Sequence, residues 1–164
     1  MTLKEKINQE FKEALKAKEE LRVSVLRMLS SAIKNKELEK RAKIGKVGIV
    51  GEELEKQCQL TDDEVLSVIS TEAKRRKDSI KQFQDGGRPE MAKQEETELK
   101  ILSAYLPEQM GEEEIRKIIQ ESIKETGVTG VADLGKVMKI LMLKVKGKAD
   151  GSLVNQIVKE ELSE

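Results

Sequence analysis

Residues 60–107 read LTDDEVLSVISTEAKRRKDSIKQFQDGGRPEMAKQEETELKILSAYLP, and their punctuation decides the fold. Thr61 followed three residues later by Glu64 is a capping box, in which each side chain serves a backbone N–H that a helix start leaves without a partner. Leu60 and Val65 suit a hydrophobic staple across that start. Val65, Ile69, Ala73, Ile80 and Phe83 then keep to one helical face as far as Asp85. Gly86-Gly87 ends the helix, and Pro89 opens another at a position where a missing N–H costs nothing. Met91, Glu95, Leu99, Leu102 and Leu106 share the next face until Pro107 stops the run. The stretch predicts two antiparallel helices.

Upstream, Leu3, Ile7, Phe11, Ala14 and Leu15 recur at spacings of three and four behind Thr2, an N-cap residue. After the polar break Ala17-Lys18-Glu19-Glu20, Leu21, Val25, Met28, Leu29, Ile33 and Leu38 repeat the pattern, predicting an αα-hairpin. Between the two hairpins, residues 40–59 read KRAKIGKVGIVGEELEKQCQ, with Gly45, Gly48 and Gly51 at a period of three. This is the least helical text in the chain and reads as a short hairpin or loop. A phosphate-cradling loop would need a strand before it and a helix N-terminus after it, and neither is evident.

Downstream, the turn Pro107-Glu108-Gln109-Met110-Gly111 marks a lobe boundary, because Glu112-Glu113-Glu114 then suits the positive start of a new helix. That helix carries Ile115, Ile118, Ile119 and Ile123 and closes at Gly127. Asp133 is placed to cap a second helix with Leu134, Val137, Met138, Leu141 and Val145, ended by Gly147. Asp150 is placed to cap a third with Leu153, Val154, Ile157, Val158 and Leu162. The expected architecture is all-α and two-lobed: an N-terminal multi-helix bundle over residues 1–106 and a C-terminal three-helix unit over residues 107–164.

Composition narrows the function classes. Aromatics are 2% of the chain, so the cores must be built from Leu, Ile, Val, Met and Ala. Lys plus Arg equals Asp plus Glu at 31 each, so a nucleic-acid signal has to be local. The chain has no histidine, which removes the commonest general base and the commonest transition-metal ligand together. Carboxylates alternate with lysines at helical spacing, as in Glu95, Glu96 and Glu98 beside Lys93 and Lys100, the pattern of solvated faces. Cys58, the single cysteine, lacks a histidine to activate it. Catalytic, cofactor and metal residues are therefore expected to be none. No stretch reaches the roughly 20 apolar residues of a membrane span, and the charged N-terminus with one cysteine fits a reducing cytoplasm.

Two basic features remain. Lys74-Arg75-Arg76-Lys77 reads as a solvated helix face. Lys136, Lys139, Lys144, Lys146 and Lys148 gather around the turn at Gly147, where the backbone can come close to a phosphate; solubilisation and sequence-neutral phosphate binding both fit them. Asn155, at helical spacing from Gly151, fits a donor to sugar or phosphate and equally an inward structural bond.

The text from Leu60 to Met110, Tyr105-Leu106-Pro107-Glu108-Gln109, Gly135-Lys136-Val137-Met138, Lys146-Gly147-Lys148-Ala149-Asp150-Gly151 and Val154-Asn155 resemble the YqeY family. That family shares its domain with the tail of the B subunit of tRNA-dependent amidotransferase. The resemblance covers about residues 1–40 and 60–164. Arg41–Gln59 lengthens the usual loop, Leu143 stands in place of a proline and Gly111 in place of a serine cap. The resemblance implies a stand-alone accessory module that binds tRNA, with Lys136, Lys139, Lys144, Lys146 and Lys148 on phosphates, Gly147 and Gly151 shaping the turn, and Asn155 beside them. It also implies a family label of carbon–nitrogen ligase with glutamine as amide donor, chemistry for which this chain alone supplies no residues. The alternative is a protein–protein adaptor that docks a synthetase or an amidotransferase through an apolar patch at Tyr105–Met110.

Overall fold

The computed structural model describes residues 1–130 and 133–163. Among these the chain is all-α, with no strand, in the order α1 (Leu3–Ala17), α2 (Glu20–Lys46), α3 (Gly51–Gln57), α4 (Asp62–Asp85), α5 (Pro89–Ser103), α6 (Glu112–Thr126), α7 (Leu134–Val145) and α8 (Gly151–Ser163). No helix of the described residues is long and apolar enough to cross a membrane. The chain divides into two compact units, Met1–Tyr105 and Leu106–Glu164.

In the first unit both expected starts are capping boxes: Thr2 with Glu5 on α1, and Thr61 with Glu64 on α4. Ile7 and Ala14 of α1 and Val25, Leu26, Leu29 and Ile33 of α2 are buried. So are Val65, Val68, Ile69 and Ala73 of α4 and Ala92 and Leu102 of α5. The unit closes at Tyr105, which is 9% exposed and whose hydroxyl donates to the Glu10 carboxylate. Arg22 reaches the same carboxylate at 2.8 Å, and Lys6 lies 6.0 Å over the Tyr105 ring. Burial and the Glu10 carboxylate push the Tyr105 phenol well above its ordinary pKa.

Four expectations need correction here. Residues 40–59 are largely helical: α2 runs on to Lys46 because Glu37 to Lys43 are good helix formers, and Gly45 sits in its last turn. The break falls at Gly48, whose φ of +87° suits only glycine without strain, and α3 follows at once. Cys58 ends α3 and is buried, its thiol donating to the Glu55 carbonyl at 3.3 Å. Met91 is 45% exposed; the buried face of α5 starts one residue later, at Ala92, and the helix stops at Ser103 rather than at Pro107. Within Lys74–Lys77, Arg76 points inward: its guanidinium meets Glu95 at 2.8 Å and also Glu98, both on α5.

The second unit packs Ile115, Ile119, Val128, Val137, Leu141, Val145, Val154, Ile157 and Val158 into one core. Arg116 on α6 ties to α8 through Glu160 at 2.8 Å and Glu161 at 3.0 Å. Its guanidinium pKa is raised by those partners and by Glu112, and Arg116 in turn lowers that of Glu160. The two expected aspartate caps part company. Asp150 Oδ1 accepts from the Ser152 N–H at 2.7 Å, whereas Asp133 holds the N-cap position of α7 without a cap bond and pairs with Lys136 at 2.9 Å instead.

Candidate nucleic-acid interface

The turn between α7 and α8 begins where the buried i, i+4 series Val137, Leu141 and Val145 runs out. Lys146 leaves the helix in an extended conformation, with φ −54° and ψ 121°. Gly147 then takes a φ of +74°, a conformation that costs an L side chain roughly 1–2 kcal/mol. Space is not what selects glycine there, since an added Cβ would lie 3.7 Å from Pro107, ordinary contact. The N–H groups of Lys148 and Ala149 both donate to the Val145 carbonyl, at 2.9 and 3.1 Å, and Asp150 starts α8.

A strap runs alongside this turn. The Gln109 amide donates to the carbonyls of Gly147, at 2.8 Å, and Pro107, at 2.9 Å. One residue on, the Met110 N–H donates to the Lys148 carbonyl at 2.8 Å. Met110 itself packs against the core of the unit. The carbonyls of Gly147 and Lys148 are thus engaged by donors of the strap, while the side chains of Lys146 and Lys148 are exposed.

Lys144, Lys146, Gly147, Lys148 and Gly151 fall within residues 144–151, from the last turn of α7 to the start of α8. Lys136 and Lys139 lie on the α7 face opposite the buried stripe, roughly 14 Å further along the axis for Lys136 at 1.5 Å per residue. Lys144 is engaged, donating to Glu125 at 2.8 Å and to the buried Ser122 hydroxyl at 3.2 Å. Glu125 is 59% exposed, and a pair so open to water is worth on the order of 0.5 kcal/mol. A phosphate can compete with it. Lys139 and Lys148 carry no ion pair among the described residues. Asn155 is partly buried one turn beyond Gly151, at the edge of the stripe formed by Val154 and Val158. Acidic residues outnumber basic ones in this unit, so the positive region belongs to the turn and one face of α7.

The apolar patch expected at Tyr105–Met110 is not formed. Tyr105 is buried in the first unit, Pro107 lies beside Gly147, and Met110 belongs to the second core. Sequence reading passed over the residue at the centre of the strap, Gln109, although it lies inside the motif from Tyr105 to Gln109. No group of three or more Cys, Asp or Glu placed to hold a metal occurs among the described residues.

The family described as Yqey-like protein matches residues 4–162. The E subunit of glutamyl-tRNA(Gln) amidotransferase from Thermococcus sibiricus is 39% identical over 59 residues, 34% of this chain and 9% of that protein. Altered inheritance of mitochondria protein 41, mitochondrial, of Vanderwaltozyma polyspora is 23% identical over 159 residues, 93% of this chain and 77% of that protein. The protein of the same name from Lachancea thermotolerans is 30% identical over 100 residues, 61% of this chain and 46% of that protein. The chain thus spans a small part of the amidotransferase protein and under half of the Lachancea protein.

Proposed function

Since the chain belongs to the Yqey-like protein family, we propose that it is a stand-alone accessory module that binds tRNA through the α7–α8 turn. Lys136, Lys139, Lys144, Lys146 and Lys148 make the phosphate contacts, Lys136 and Lys144 by exchanging carboxylate pairs open to water, and Asn155 flanks the site. The observation that carries this reading is the braced turn itself: lysines exposed on both sides of Gly147 in a unit that is otherwise acidic. Kinship of a third of the chain with a component of glutamyl-tRNA(Gln) amidotransferase supports tRNA as the nucleic acid. The amide-transfer chemistry belongs to a partner enzyme, an amidotransferase or a synthetase, and this chain contributes binding.

Binding of bulk tRNA at 50 and 200 mM salt tests the proposal. Each lysine–phosphate contact adds about 0.9 to the slope of log affinity against log salt for a duplex, so five contacts predict roughly a five-hundredfold loss over that interval. Lys139→Glu with Lys146→Glu and Lys148→Glu abolishes binding. Lys144 is left intact, because a glutamate there would face Glu125 and disturb the α6–α7 contact. Absence of wild-type binding at low salt refutes the proposal.

A further inference from the structure

Resting on that reading of the turn, we propose that Gln109 is the positioning residue of the phosphate site: its side-chain amide holds the Lys146–Lys148 turn in the conformation that meets RNA. Gln109 is exposed and fills no core position, so hydrophobic packing does not explain its place. Its Nε2 donates to two carbonyls at once, Pro107 O on the strap itself and Gly147 O in the turn. The adjacent Met110 N–H takes up the Lys148 carbonyl. Consecutive carbonyls of the turn are therefore bound by strap donors. A free carbonyl oxygen is a negative dipole end, and two of them loose beside an anion would repel it; engaged, they leave the lysine side chains to set the local potential. Gly147 makes the turn possible but, having no side chain and a freely varied φ, cannot hold it there. The bond from Gln109 supplies that restraint, and the entropy of ordering the loop is then spent before RNA arrives.

Gln109→Met keeps side-chain length and removes both donors. Three readouts are taken on the full-length chain: tRNA affinity at several salt concentrations, thermal stability, and amide exchange at Met110, Lys148 and Ala149, with Lys148→Ala as a comparison. Affinity falls about threefold to tenfold, the range of one hydrogen bond's net worth. The salt slope stays at its wild-type value, because no phosphate contact is lost, whereas Lys148→Ala lowers it by about one. Exchange at Met110, Lys148 and Ala149 quickens while that of Ile115 and Ile119 is unchanged. Unaltered affinity or unaltered exchange in Gln109→Met overturns the proposal. A slope reduced as in Lys148→Ala also overturns it, by making Gln109 an RNA contact. If wild-type protein binds no tRNA, the function proposed above fails, and the exchange result still reports whether Gln109 braces the turn.

Discussion

Arg76 on α4 and Glu95 on α5 form a 2.8 Å ion pair with the arginine side chain only 10% exposed, and Glu98 takes the same guanidinium nitrogen. Arg76 also donates to Met28 Sδ on α2, so one side chain from a run of four basic residues joins three helices. Removing one partner of a pair this buried leaves uncompensated charge behind. Arg76→Ala is expected to lower unfolding free energy by about 3 kcal/mol or more, read by urea denaturation. Arg76→Met combined with Glu95→Gln and Glu98→Leu should recover most of that loss, since apolar replacement of a whole buried pair is often neutral.

Thr61→Ala should cost about 1 kcal/mol, because the Thr61 hydroxyl accepts from the Glu64 N–H and the alanine cannot. Asp133→Ala provides the contrast. It occupies the same kind of position without a cap bond, so its loss should stay within about 0.5 kcal/mol. Equal costs in thermal melts of the two variants would show that the Thr61 bond contributes nothing.

Gly147→Ala forces an L side chain to a φ of +74° and should cost roughly 1–2 kcal/mol. For a chain of this size that is about 2–8 °C in melting temperature. Gly135→Ala, at an exposed place on α7 with open space for a methyl group, should instead hold or raise stability.

Acid should act on the first unit through two carboxylates. Burial opposes ionisation of Glu10, but hydrogen bonds from Tyr105 and Arg22 outweigh it and hold the carboxyl below its ordinary 4.5. Glu64 is held below 4.5 by the Lys40 hydrogen bond first and the Thr61 N–H second. A carboxylate whose folded pKa is depressed contributes stability above its unfolded pKa and loses it as pH falls through the folded value. Melting temperature should therefore be insensitive to these groups above pH 4.5 and decline below it. Glu10→Gln with Glu64→Gln should flatten the decline, and a slope identical to wild type would exclude both as its source.

The helices were legible wherever their signals were local. Thr61 with Glu64, Gly86-Gly87 and Asp150 each act within four residues, and each does what its spacing announced. The α2 extension was hidden because three evenly spaced glycines looked like one break, while only Gly48 and Gly51 take positive φ there. Arg76 was misread with its exposed neighbours, although it lies three residues from Ala73 and seven from Ile69, on their buried face. Gln109 was the hardest case: the Gly147 carbonyl it meets is 38 residues away, and a backbone acceptor is the same at every position of a sequence.

The strap also bears on where this chain can be cut. A fragment beginning at Gly111 would retain α6, α7 and α8 and every fully buried side chain of the second core. It would discard Pro107 and Gln109, and with them the side-chain brace of the lysine turn. Such a truncation would present the same basic residues on a hinge without its latch, so the second unit in its described form starts ahead of its own first helix.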